Sequence, residues 1–266
     1  MRFFKKLLGG FVLAWSVQVA HAAQIAIVID DIGYKVTDKQ LLDMDAQLTY
    51  AVLPHTPLGA TYAEYAAQRS RDVIIHLPMQ AKTNNRLLGK GALTHRMSKR
   101  QYQSTLLSAL EDIPFAVGVN NHMGSLLTSQ EQPMAWTMEL LRQHNMFFLD
   151  SKTTRHSKIE KVATEYGVDS LERNVFLDHN RSKPAIEWQF KRLVKLAKHN
   201  GQAIAIGHPY RETMEVLQEK LAQLDDLGVE LVPLSHLLIH EPYLVKTENK
   251  RPPAASSNSS QDFAPQ

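Results

Sequence analysis

Apolar runs that lead into polar, chemically competent residues are the leading pattern of this chain. The first run, Ile25–Ile29, is followed directly by Asp30, Asp31, Ile32 and Gly33. A run that is apolar on both faces is typical of a buried parallel strand, and α/β folds build their sites at the carboxyl ends of such strands. Two adjacent aspartates there need a metal or a shared proton to offset repulsion and desolvation. The alternative is that the pair caps the next helix and is solvated.

Apolar strands and helical patterns alternate along the rest of the chain. Strands are predicted at 48–53, 72–76, 115–119, 146–149, 175–177, 202–206 and 229–232, and helices at 60–71, 98–113, 133–145, 184–199 and 213–227. Ser98 suits the N-cap of the second helix, and Pro184 suits the first turn of the fourth. The alternation predicts a parallel sheet with right-handed crossovers, closed or nearly closed into a barrel.

Many predicted strands end on a residue that can bind a metal or transfer a proton. Five of them end on Asp30/Asp31, His76, Asp150, Asp178 and His208, and a sixth is followed by Asn120-Asn121-His122. In a barrel these ends converge on one rim, however far apart they lie in sequence. The alternative for each residue taken singly is an ordinary loop or capping role.

The two ends of the chain differ from its centre. Residues 1–22 carry Arg2, Lys5 and Lys6, an apolar run and the small-x-small ending Ala20-His21-Ala22, which predicts a signal peptide and export to the periplasm. An uncleaved membrane anchor is the alternative; cleavage would leave no membrane span. From residue 246 to 266 the chain is polar and rich in Pro and Ser, which predicts a disordered tail. One folded domain over residues 24–245 is therefore expected.

The amino-acid composition limits which ligands and which metal-binding residues the protein can use. The chain has 30 Lys and Arg against 27 Asp and Glu, and three of the cations lie in the predicted signal peptide, so the remainder is formally neutral. No basic tract for nucleic acid remains. With no cysteine, a metal site must use His, Asp or Glu. One Asp with two His is a usual catalytic zinc set, and a second Asp and a His opposite could act as base and acid in amide or ester hydrolysis.

Five motifs in this order resemble the divergent polysaccharide deacetylase family, exported bacterial relatives of the carbohydrate esterases that de-N-acetylate chitin and peptidoglycan. They are Asp30-Asp-Ile-Gly33, His76-Leu-Pro-Met79, Asn120-Asn-His-Met-Gly-Ser125, Phe148-Leu-Asp-Ser151 and Gly207-His-Pro209. The resemblance spans Ile25 to Leu238. It implies a distorted (β/α) barrel of about seven parallel strands and a divalent metal, zinc by expectation.

Position by position, the resemblance implies roles for individual residues. Asp31 matches the metal-binding aspartate and Asp30 the catalytic base. His76 begins the esterases' H-x-x-x-H metal motif, whose second histidine is replaced here by Gln80. His122 is therefore the candidate for the third metal ligand.

Two further residues match catalytic positions of the family. His208 matches the general acid, and Asp150 matches a supporting acidic residue. The esterases' R-x-P-Y motif is absent from the region of His122.

The resulting expectation is an exported, metal-dependent de-N-acetylase of acetylated glycans such as peptidoglycan fragments. One alternative is a non-catalytic cell-envelope protein that keeps the metal site and binds a glycan or a partner. Another is a metallohydrolase that acts on a phosphoester or a peptide-type amide.

Overall fold

The computed structural model describes residues 22–238. The signal peptide predicted over 1–22 lies outside these residues except for Ala22, and the tail predicted over 246–266 lies entirely outside them. The predicted domain end at residue 245 also falls beyond the described part. Within residues 22–238, the helices are too short or too polar to cross a bilayer.

Nine parallel strands and seven helices make up the described chain. The strands are β1 (Ala23–Ile32), β2 (Thr49–Val52), β3 (Val73–Met79), β4 (Gly118–Met123), β5 (Phe147–Asp150), β6 (Ser170–Glu172), β7 (Val175–Phe176), β8 (Gln202–Gly207) and β9 (Val229–Leu231). The helices are α1 (Lys39–Leu42), α2 (Gly59–Ala67), α3 (Lys99–Asp112), α4 (Glu131–Gln143), α5 (Ile159–Tyr166), α6 (Lys183–Asn200) and α7 (Arg211–Leu221).

The sheet curls into a distorted (β/α) barrel, which confirms the predicted fold class. Its order is β6-β5-β4-β3-β2-β1-β8-β7, and β9 pairs with β1. The two end strands, β6 and β7, are consecutive in the chain and are joined only by Arg173 and Asn174. Because the three steps from Glu172 to Val175 span at most about 10 Å, the two ends of the sheet lie close together, and the barrel closes there.

The structure adds one strand, β6, and two helices, α1 and α5, to the elements that the sequence predicts. The strand β6 has the sequence Ser-Leu-Glu, which offers no apolar run to recognise. The helix α5 has only eight residues, too few to establish a helical period from Ile159, Val162 and Ala163.

Side chains of the strands alternate between two cores. Along β1, Ile25, Ile27 and Ile29 join the large core that includes helix residues, whereas Ala26 and Val28 join a smaller cluster made of strand residues and the last described turn. The smaller cluster fills the interior of the barrel. Since strand side chains alternate with a period of two, this alternation decides which strand-end residues point into the mouth of the barrel.

The strand predicted at 115–119 is wrong in its bounds, because β4 begins three residues later and continues through His122. Its register with β3 runs from Ile74↔Gly118 to Met79↔Met123. A Cβ on Gly118 would lie 2.8 Å from the Phe147 ring, so only glycine lets this ring pack against the strand. The pairing outweighs the poor strand propensity of the asparagines. His122 is therefore held by a strand rather than a loop.

The N-terminus of α3 has Ser98 as its N-cap, as the sequence predicts, and the structure adds a capping box with Gln101. Ser98 Oγ accepts a hydrogen bond from the Gln101 backbone N–H, and Gln101 Oε1 accepts one from the Ser98 N–H. We expect Ser98→Ala to lower the free energy of unfolding by about 1 kcal/mol, measured by urea denaturation. The matched control is Ser104→Ala in the same helix, which removes an exposed hydroxyl and leaves the cap intact. Equal losses in both variants would contradict this role for Ser98.

Candidate metal centre

A β-bulge brings Asp30 and Asp31 to the same place. The register between β1 and β2 shifts between Ile29 and Ile32, so β1 carries one extra residue there. Asp31 adopts φ +60°, in the left-handed region. In a regular strand the two side chains would point to opposite faces; the bulge turns both carboxylates toward the mouth of the barrel.

Asp31, His76 and His122 form a cluster that could hold a metal ion. Asp31 Oδ1 lies 3.3 Å from His76 Nε2 and 3.2 Å from His122 Nδ1, and the two nitrogens are 3.0 Å apart. Asp31 Oδ1 is buried and makes no aligned hydrogen bond with any described residue. Three donor atoms that lie 3.0–3.3 Å from one another fit a shared divalent cation, and the one-Asp, two-His donor set suits zinc.

The outer nitrogens of both histidines are held by acceptors. His76 Nδ1 lies 2.8 Å from Asn120 Oδ1, and His122 Nε2 lies 3.2 Å from the carbonyl oxygen of Leu87. These contacts hold the rings so that His76 Nε2 and His122 Nδ1 face the shared position and can bind a metal there. Leu87 belongs to residues 84–93, which lie in the connection between β3 and α3, so this loop packs against the metal cluster.

Asp30 is linked to the cluster through Asn120. Asn120 Nδ2 donates a 2.8 Å hydrogen bond to Asp30 Oδ1, and Asp30 Oδ2 lies 3.6 Å from His76 Nε2. Asp30 and Asn120 are both buried, at 3% and 0% exposure. The Asn120 amide therefore fixes the base candidate and one metal ligand in a single arrangement.

Burial and neighbouring charge set the protonation of the cluster. Burial raises the pKa of Asp30 above its usual value. Burial also acts to raise the pKa of Asp31, but the His122 and His76 imidazoles outweigh it and hold that pKa well below its usual range. Two carboxylates side by side thus have opposed shifts, which separates a proton-accepting carboxylate from an ionised ligand.

His208 faces the cluster from β8 and is oriented by Asp178. His208 Nε2 lies 3.9 Å from Asp31 Oδ2, and His208 Nδ1 lies 2.9 Å from Asp178 Oδ1. The other Asp178 oxygen accepts from the His208 backbone N–H and from Thr213 Oγ1. Burial would lower the pKa of His208, but Asp178 outweighs it and raises that pKa to about 9. The imidazole is therefore protonated at neutral pH, as a general acid must be.

The structure does not bring Asp150 into this group. Its neighbours in β5, Phe147 and Leu149, point into the barrel, so Asp150 points to the helix side. There Asp150 Oδ1 accepts from the Lys152 backbone N–H, and burial raises the pKa of the carboxyl. The next residue, Ser151, faces inward and lies 3.3 Å from Asn120 Nδ2.

Asn120 and Asp178 were noted at strand ends in the sequence, but no role at the site was predicted for either. The alternation of interior residues was a signal that could have found them. Gly118 and Asn120 share one face of β4, and Phe176, which packs on the interior cluster, shares its parity with Asp178. The same alternation places Asp178 on the interior side of the sheet and Asp150 on the helix side.

Gln80, which stands where the esterases have their second histidine, serves a structural purpose. Its side-chain oxygen accepts from the His95 backbone N–H and lies 2.8 Å from His95 Nδ1. Its backbone N–H donates to Leu93, and its carbonyl accepts from Leu127. Gln80 thereby connects the rim loops, and the third donor atom of the cluster comes from His122.

The mouth of the barrel gathers two carboxylates, two imidazoles that share a cation position, and a protonated histidine. These features place the protein among deacetylase-like (β/α) barrels with a candidate metal centre. Residues 27–238 match the divergent polysaccharide deacetylase family, and the chain belongs to that family. A relative is "Uncharacterized protein YibQ" of Escherichia coli K12, 39% identical over 218 residues that cover 82% of this chain and 68% of YibQ.

Solved structures share the fold. An uncharacterized protein from Agrobacterium tumefaciens C58 has a TM-score of 0.78 at 19% identity and covers 84% of this chain and 92% of its own. A CE4 family pseudoenzyme from Bacillus anthracis has a TM-score of 0.52 at 13% identity, with 82% of this chain and 66% of its own covered. At these identities the likeness shows the barrel fold alone.

Proposed function

We propose that this protein is a zinc-dependent deacetylase that hydrolyses the acetamide of N-acetylated sugars in a cell-envelope glycan such as peptidoglycan. The observation that carries the proposal is the meeting of Asp31, His76 and His122 on one cation position, with Asp30 and His208 each within 4 Å of a member of this cluster. Membership of the deacetylase family supports the substrate class. The signal-like residues 1–22 support export to the periplasm as part of the same proposal.

Each group has a role that follows from its surroundings. When bound by Asp31, His76 and His122, zinc would supply Lewis acidity and lower the pKa of a bound water. Asp30, whose pKa is raised by burial, accepts the proton of the attacking water. Asn120 keeps Asp30 in place through its 2.8 Å hydrogen bond.

The leaving amine needs a proton as the C–N bond breaks, and His208 supplies it. Asp178 holds His208 Nδ1, so that Nε2 carries its proton toward the cluster. The base thus lies in β1 and the acid directly after β8, and these two strands are paired side by side. Asp150 stays a proposed supporting residue whose effect on the mouth passes through Ser151.

Acetate release tests this function. The zinc-loaded protein is incubated with chitin oligosaccharides and with peptidoglycan fragments, and acetate is measured enzymatically. We expect turnover that falls by at least about 100-fold in Asp30→Asn, because the base is lost while shape is kept. Asp112→Asn, a carboxylate that contacts His55 away from the cluster, is the matched control.

Other outcomes of the same assay separate the rivals. Zinc binding without acetate from any acetylated glycan would refute the deacetylase and favour a non-catalytic binding protein, and pseudoenzymes exist among the structural neighbours. With a phosphoester added to the substrates, release of phosphate from it, or of new peptide amines from the peptidoglycan fragments, in place of acetate, would favour a different metallohydrolase.

A further inference from the structure

A column of three stacked groups stands beside the proposed acid. The rings of His208 and Tyr210 are stacked, with centroids 5.5 Å apart and planes 23° apart. On Tyr210 lies the guanidinium of Arg181, with its central carbon 3.7 Å from the ring centroid. The column therefore begins at the candidate centre and ends at an exposed cation.

Arg181 differs from the cations around it because its charge is not neutralised. Lys183 and Arg211 both form ion pairs with Glu215. Across residues 22–238, by contrast, no carboxylate forms an ion pair with Arg181. The cation–π contact with Tyr210 fixes the guanidinium in position and leaves its planar N–H edge available to a ligand.

Two helix N-termini add to the positive potential at this point. The helix α6 begins two residues after Arg181, and α7 begins directly after Tyr210. Neither N-cap side chain, Ser182 or Tyr210, bonds to the first turn of its helix. Both helix dipoles therefore favour negative charge near the Arg181–Tyr210 pair.

We propose that Arg181 and Tyr210 form an anion subsite at the mouth of the barrel, which selects N-acetylated glycans that carry a carboxylate on a group next to the reacting sugar. A guanidinium held over an aromatic ring can present two parallel N–H groups at its edge, the geometry that a carboxylate accepts. The Arg181 guanidinium contacts Tyr210, and Tyr210 in turn stacks on His208, so the bound anion would sit near the amine that leaves. This inference rests on the proposed function for the identity of the reacting group, but not for the anion preference itself.

Binding of two tetrasaccharides by the zinc-loaded protein tests the subsite without requiring turnover. Chitotetraose carries only neutral N-acetylglucosamine, whereas a hyaluronan tetrasaccharide alternates N-acetylglucosamine with glucuronate. Calorimetry at low salt should give a dissociation constant about tenfold smaller for the hyaluronan sugar, and 0.5 M NaCl should shrink the difference.

Arg181→Gln should remove this preference, while Lys183→Gln, which deletes a neighbouring but already paired cation, should keep it. Zinc content, measured in both variants, should stay unchanged, because neither residue contacts the cluster. An unchanged ratio in Arg181→Gln, equal binding of the two sugars by the parent, or no binding of either would overturn the subsite. A carboxylate preference without acetate release would uphold the subsite and refute the deacetylase.

Discussion

Replacing Asp31 or His122 by alanine is expected to reduce bound zinc from about one ion per chain to nearly none and to abolish hydrolysis. Each variant removes one of three donor atoms that crowd together at 3.0–3.3 Å. Two remaining protein ligands hold zinc weakly, since structural and catalytic zinc sites use three or four. The effect is the largest we expect from any single substitution, because every chemical step at the mouth depends on the same centre.

Elemental analysis of the purified variants after zinc is supplied and excess is removed gives the measurement. His199→Ala removes an exposed histidine of α6 and serves as the control, which should keep its zinc. Far-UV circular dichroism shows whether the barrel is intact. Zinc retained by both Asp31→Ala and His122→Ala would disprove the ligand assignment, and a parent protein that takes up no zinc would remove the basis of the hydrolase proposal.

Asp178→Asn should bring the second large change, a fall in the pKa of His208. That pKa is raised to about 9 because the Asp178 carboxylate outweighs burial. Without the charge, burial and an ordinary imidazole leave a pKa of about 6.5 or lower. At pH 8 the protonated acid would drop to roughly 3% of the molecules, so activity should fall about 30-fold and the basic limb of the pH profile should move to lower pH.

The titration of His208, followed by the NMR signal of its imidazole, measures the shift even in a protein without turnover. The direction of this pKa shift also makes the stability of the fold depend on pH. Because the pKa of His208 is raised, its protonation stabilises the fold below about pH 6.5, and this contribution is lost as the pH rises through about 9. Asp112→Asn, which alters the His55 contact instead, should leave the titration unchanged. The same midpoint in Asp178→Asn and the parent would contradict the role of Asp178.

Much of the fold could be predicted from the chain because its signals are local. The run Ile25–Ile29 is apolar on both faces, as a strand between two cores must be. The N-cap at Ser98 marks the start of α3. Parallel strands then carry their ends to one rim, so His76 and His208 could be expected near Asp31 without knowledge of any distance.

The features of the site that could not be predicted from the sequence depend on pairing between distant segments. The bulge that turns Asp31 beside Asp30 exists only in the register with β2. The bond from His122 to the Leu87 carbonyl depends on how the 84–93 loop folds back. Asp150 and Asp178 look alike as strand ends, and only the alternation of interior side chains in the assembled barrel separates them.

The centre draws its donor atoms from β1, β3 and β4, so a chain that has not closed its sheet offers no chelating group. Zinc would then bind the finished barrel and hardly bind the unfolded chain, and its binding energy adds to the stability of the folded state. Since mass action ties that gain to the free zinc concentration, we expect the resistance of this protein to heat and proteolysis to rise as zinc is added.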